Sequence, residues 1–254
     1  MCANYEADMG KYPLTAIAMI NTLRMFLLLF AVQTLGAKAQ CIDSLFAQVP
    51  IAVMPLLDET SRLDLIDLYN SKLPAKAENR YGGQSELLEK TPQFMRLRSS
   101  GVGEWQFRLL PAERDTLIAC IRSVKSEGVN SWLEVYNRHW KRVKIELPNP
   151  PFSSFYVPVA HLSPMREQVL GEMLREAPIQ LEFNDKAPTL TCSISTEGLS
   201  EEDKADAQLC LHPVVYEWVD GKFVLRTSQP VHRRHPAKQN EISPTAQPAH
   251  SSHP

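Results

Sequence analysis

A chain of 254 residues, 44% hydrophobic and 22% charged, has ordinary globular composition and enough apolar side chains for a sizeable core in one large or two small domains. Its formal net charge of -2 sets nucleic acid aside as a partner, because phosphate-backbone binding draws on an excess of Lys and Arg gathered on one surface.

Residues 1–39 read as an export segment. Arg24 precedes an apolar run, Met25 to Leu35, broken only by Gln33 and Thr34, and Ala37-Lys38-Ala39 matches a small-x-small cleavage site. Gln40 is the expected mature N-terminus, and residues 1–18 or 1–24 are an upstream extension ahead of a start at Met19 or Met25. The run is too short to span a bilayer, which takes roughly 20 apolar residues, so the chain is expected in the periplasm or at the cell surface and not across the membrane. Gln40 is not the small residue that lipidation of Cys41 would want, which favours simple cleavage. Four cysteines then remain, Cys41, Cys120, Cys192 and Cys210, an even number in a compartment where disulfides persist. Cys192 and Cys210 fall in neighbouring strand candidates and are the expected pair, although alternation does not place them on matching faces.

The first helix is expected between Leu56 and Tyr69, with Ser61 as its cap. At 100° per residue Leu63, Leu65, Ile66 and Tyr69 form an apolar arc, and Asp64 and Asp67 lie opposite, facing water. A polar loop, 71–83, follows and ends in Asn79-Arg80-Tyr81 ahead of two glycines; loops on rigid scaffolds often carry binding, so these three are the candidate site residues. Residues 85–90 read as one helical turn stopped by Pro92. A run of strand signals comes next: "FMRLRSS", "EWQFRLL", "TLIACIRSV", "WLEVYN" and "WKRVKIEL". Trp105, Phe107 and Leu109 alternate with polar residues, whereas "TLIACI" is apolar on both faces and reads as a central strand. Exposed together, Trp105, Trp132, Tyr136 and Trp140 would make an interaction patch.

The proline-rich "LPNPPFSSFYVP" crosses between halves. Ser163 and Pro164 open a second helix carrying Val169, Leu170, Met173 and Leu174, as N-cap and first helical residue. Strand signals resume at "IQLEF", "TLTCSIS", "LCLHPVVYEW" and "KFVLR", the last two joined by a "VDGK" hairpin turn. Between them, "EGLSEEDKADAQ" is a solvated loop or short exposed helix. The expected fold class is α+β: antiparallel meanders with two short helices, and two helix-plus-four-strand repeats as the organising hypothesis. The halves divide at residues 40–150 and 151–228, and the Pro-, Ser- and His-rich 229–254 is a disordered tail.

Catalytic signatures are missing. There is no G-x-S-x-G, H-E-x-x-H, G-x-x-x-x-G-K or C-x-x-C, so no metal or cofactor is expected and the reading leans away from an enzyme. The H-x-x-H pairs His232/His235 and His250/His253 sit in a Pro-rich tail that cannot fix metal geometry. Asp58, Asp64 and Asp67 allow a secreted hydrolase of glycan or peptide as the alternative, but capping and a solvated face account for them.

Leu63-Asp64-Leu65-Ile66-Asp67, then Tyr69-Asn70, Asn79-Arg80 and Glu86-Leu87-Leu88, resemble a family of secreted proteins of unknown function from Bacteroidales, best over 58–136. Gly82-Gly83 and the basic tail depart from it. The resemblance implies export and brings no activity, cofactor or site. A non-catalytic binding protein, engaging a protein or envelope component, is the expected function.

Overall fold

The computed structural model describes residues 41–226 apart from Arg114 and His161; the stretches expected to be an export segment and a tail lie outside them. Helix α1 (Ile42–Ala47) buries Ile42, Leu45 and Phe46, one side of a six-residue helix too short for periodicity to reveal. Helix α2 (Glu59–Asn70) is capped by Asp58 and not by Ser61: the Ser61 N–H donates to Asp58 Oδ1 at 2.8 Å. Its buried stripe runs through Arg62, Leu65 and Ile66, the i, i+3, i+4 line, whereas Leu63 stands off that line and is 44% exposed.

The Ser61 N–H bond holds the Asp58 carboxyl below its ordinary range. A depressed folded-state value means stability that is present above the unfolded carboxylate pKa and lost as pH falls through the folded one. Asp58→Asn keeps an acceptor oxygen but cannot titrate, so its melting temperature is expected to fall less between pH 5 and pH 2 than that of the native chain. Thermal melts across that range check it.

Six strands form one antiparallel meander in chain order: β1 (Lys76–Glu78), β2 (Gln84–Thr91), β3 (Phe94–Arg98), β4 (Gly103–Pro111), β5 (Thr116–Lys125) and β6 (Val129–Tyr136). Residues 85–90 are therefore strand and not a helical turn. Pairing to β3 through Leu87↔Leu97 and Lys90↔Met95 overrides the helix propensity of Glu, Leu and Lys. Beyond β6 the chain turns at Asn137–Trp140, and "WKRVKIEL" makes only an isolated bridge, Tyr136↔Arg142, where a strand was expected.

Interior strand β5 is buried on both faces, as its apolar run implies. On one face Leu97, Trp105, Phe107, Ile118 and Cys120 pack under α1 and α2. On the other, Phe94, Leu110, Ala119, Ile121 and Val135 meet a second sheet, ordered β10-β9-β8-β7. That sheet comprises β7 (Ile179–Phe183), β8 (Thr189–Ile194), β9 (Val214–Val219) and β10 (Lys222–Leu225). Its inner residues, including Phe183, Leu190, Cys192 and Trp218, alternate with wet ones. The β9–β10 turn uses Asp220 and Gly221 at φ 48° and 81°, the left-handed pair that a two-residue hairpin requires.

Helix α3 (Pro164–Glu176) starts as expected, with Ser163 accepting from the Arg166 N–H. Its buried residues are Leu170 and Leu174, while Val169 and Met173 are exposed. Helix α4 (Glu201–Cys210) falls between β8 and β9, capped by Ser200 and packed on α3 through Ala207 and Cys210. The described residues thus hold four α-helices. The second half interrupts its strands with a helix, and the repeat of one helix and four strands does not occur. No helix among the described residues is long and apolar enough to cross a membrane.

Candidate functional site

Asn79, Arg80 and Tyr81 come together at the β1–β2 turn but do not converge. Asn79 is buried: its Oδ1 accepts from the N–H groups of Tyr81 (3.1 Å) and Gly83 (3.0 Å), and its Nδ2 donates to the Ser99 carbonyl at 3.3 Å. Gly82, at φ 75°, completes the reversal. Arg80 and Tyr81 point outward, Tyr81 being 75% exposed. Asn79 is a turn organiser. Asn79→Ala should cost about 1–3 kcal/mol, measurable by urea denaturation, through the two turn N–H groups it leaves unpaired; the Ser99 carbonyl keeps its 2.8 Å bond from the Ser85 hydroxyl.

Asp64 and Asp67 are exposed along an open groove of about 470 Å³ between α2 and β1, beside Ser61, Lys76 and Glu78. Cys192 and Cys210 are not brought together. Both are free thiols, the first between the sheets and the second beneath α3 and α4. Strand candidacy suggested neighbours, but Cys210 ends a helix. Nor do the four aromatics form an exposed patch: Trp105, Tyr136 and Trp140 are buried, and only Trp132 stands out, at 44% exposure. Trp140 turns inward at φ 56° and donates its indole N–H to the Leu45 carbonyl.

A different constellation lies across β4, β5 and β6. Register aligns Trp105 with Arg122 and Arg122 with Trp132, so the three side chains form one row on the same face. The Arg122 guanidinium carbon lies over both indoles, 6.0 Å from the Trp105 centroid and 5.2 Å from that of Trp132. The row borders a cavity of about 390 Å³ that continues past Glu134 and Arg142 to Leu181 and Leu190 of the second sheet.

The other charged groups here are engaged. Glu134 accepts from the Tyr136 hydroxyl at 2.7 Å and pairs with Arg142 at 3.2 Å, whereas Arg122 has no carboxylate partner among the described residues. Burial, then the bond to Glu134, raises the Tyr136 phenol far above its ordinary value, so it remains a donor. Burial likewise drives the Cys120 thiol up, with Glu134 adding to the effect, and the cavity offers no thiolate nucleophile. The described residues hold no cluster of three or more His, Cys, Asp or Glu suited to a metal. The arrangement can stack a planar or C–H-rich group on indole and grip an oxyanion.

The row escaped sequence reading because its members are 17 and 10 residues apart and meet only through register. One signal was available. In "TLIACIR" Arg122 continues the stripe of Ile118 and Cys120, which places a charge on an otherwise apolar line.

Architecture defines the class: an α+β protein of two packed antiparallel sheets, with helices over the outer face of the larger one. The family described as "Protein of unknown function (DUF3256)" matches residues 34–223, and the chain belongs to that family. Among solved structures it is similar to a domain of an uncharacterised protein from Porphyromonas gingivalis W83. That match has 25% identity and a TM-score of 0.60, covering 74% of this chain and 98% of the other. No curated protein matches the chain.

Proposed function

We propose that this is an exported, non-catalytic binding protein of the periplasm or cell surface, recognising an envelope component through the Trp105–Arg122–Trp132 row. One observation carries the reading. An arginine within 5.2 Å and 6.0 Å of two indole centroids, with no carboxylate partner among the described residues, lines a cavity within the size range of ligand sites. Trp and Arg are also the residues that most often dominate binding energy. Export is supported by the Arg24, Met25–Leu35 and Ala37-Lys38-Ala39 pattern. The hydrolase alternative draws no comparable support, since Asp64 and Asp67 line an open groove.

The experiment is retention of envelope extract on the immobilised full-length chain. Arg122→Gln and Trp132→Ala should each reduce retention about tenfold or more, a hot-spot effect of roughly 2 kcal/mol, while circular dichroism stays native. Arg80→Ala should leave it unchanged. Retention that survives both row variants but is lost with Arg80→Ala moves the site to the β1–β2 turn.

A further inference from the structure

Resting on that reading of the row, we infer that its ligand is a carboxylate-bearing saccharide, a uronate-type sugar whose ring stacks on Trp132 and whose carboxylate is taken by Arg122.

Arg122 supplies the anion specificity. A guanidinium has five N–H donors, and Arg122, 5.2 Å and 6.0 Å from two indole centroids, has none of them committed to a carboxylate among the described residues, while the two rings flanking it restrict its rotation. A fork held this way matches the two oxygens of a carboxylate, and part of its ordering entropy is lost before the ligand arrives. The nearby carboxylate, Glu134, is already shared between Tyr136 and Arg142, so the protein presents a stacked cation without a dedicated anion.

Trp132 supplies the second half. It is 44% exposed, while Trp105, Trp140 and Trp218 are each buried, so one indole is both accessible and beside the cation. A pyranose ring has a face of C–H groups, weakly positive at hydrogen, which complements the negative face of an indole. Its edge carries hydroxyls. Glu134, 38% exposed at its side chain, and Arg142, 66% exposed, border the cavity as acceptor and donor for them. A bare carboxylic acid would use the cation and leave the indole idle; a neutral sugar would do the reverse.

A peptide fits less well. The natural way for a peptide to engage a sheet is to add a strand at a free edge. The β6 edge is occupied at both ends, where the Val143 N–H donates to the Val135 carbonyl, Arg142 bridges Tyr136 and the Val129 N–H donates to the Ser195 hydroxyl, so an added strand has only the short span 130–134 to pair with.

The test is calorimetric titration of the full-length chain with three uronate oligosaccharides: trigalacturonate, trimannuronate and a hyaluronan tetrasaccharide. Each is compared with its methyl ester, and succinate serves as a carboxylate without a ring. At least one acid should bind about tenfold or more tighter than its ester, with no heat from succinate. Arg122→Gln should reduce the acid to the ester's affinity, Arg122→Lys should fall between, and Trp132→Ala should weaken both forms. Equal binding of acid and ester, binding of succinate as tight as the saccharides, or no binding of any saccharide overturns the inference. The ester comparison needs no variant, so it stands even where Arg122→Gln fails to fold. Extract retained through Arg122 and Trp132 without saccharide binding overturns the ligand class alone; retention indifferent to both residues removes the binding site as well.

Discussion

Phe107→Ala is expected to destabilise the protein by about 3–5 kcal/mol, the largest loss from any single substitution considered. Phe107 is 1% exposed and lies where three elements meet: its ring centroid is 5.5 Å from Phe46 of α1, 5.9 Å from Trp105 on its own strand and 6.2 Å from Trp140 beyond β6. Truncation removes the transfer energy of a benzyl group and leaves a cavity that neither a helix nor a sheet can collapse to fill. Domains of this kind have only about 5–15 kcal/mol of total stability, so the variant should unfold at far lower urea concentration. Phe107→Leu keeps most of the volume and should lose less than half as much. A loss below about 1 kcal/mol for the alanine variant would mean that α1 does not pack on the sheet through this ring.

The second large effect is expected at Arg62, a charged residue 4% exposed in the apolar stripe of α2. Its guanidinium donates from Nε (3.2 Å) and Nη2 (2.8 Å) to the Ala47 carbonyl at the end of α1, and from Nη1 (2.6 Å) to the Leu57 carbonyl. It therefore caps one helix from the interior of another and ties in the intervening loop. Burial pulls the guanidinium below its ordinary value, with Glu59 and then Asp58 opposing that pull. Arg62→Met preserves the packing volume but strands two carbonyls, at a cost of about 2–5 kcal/mol by denaturant melts. Arg62→Lys, with one compact head, should recover part of it. Hydrogen exchange should rise across α1 and residues 50–57 in the methionine variant and remain native in β4 and β5.

The polar face that alternation implies for β4 is not wet: Gln106 and Arg108 are 3% and 1% exposed, Gln106 accepting from the Phe183 N–H and Arg108 donating to the Asn184 and Asp185 carbonyls. The meander is legible in the sequence all the same, because Trp105, Phe107 and Leu109 or Leu190 and Cys192 announce period two directly. Residues 85–90 were misread for the opposite reason. Glu86 to Lys90 are good helix formers, and only the partner strand at Leu97 and Met95 makes them extended. Helix α4 is half legible: its acidic stretch reads as a solvated loop or short helix, but Leu209 and Cys210 continue into the apolar run of the following strand. Arg62 shows the limit of reading polarity as exposure, since its burial is licensed by carbonyls 5 and 15 residues away. Asn79 shows the same limit in a loop, where a polar side chain held the turn and not a ligand. The candidate row was beyond single-strand periodicity altogether. Trp105, Arg122 and Trp132 become neighbours only once two hairpins set their register.

Trp132 gives the most direct test of that row, because it is the exposed indole among four described tryptophans. Iodide quenching of tryptophan emission should report chiefly on Trp132 in the free chain and disappear in Trp132→Phe. Envelope extract should protect the native chain from iodide, and Arg122→Gln should abolish that protection while the folded spectrum is retained. Extract that binds the immobilised chain yet leaves Trp132 fully open to iodide would contradict the assignment and place recognition elsewhere on the molecule.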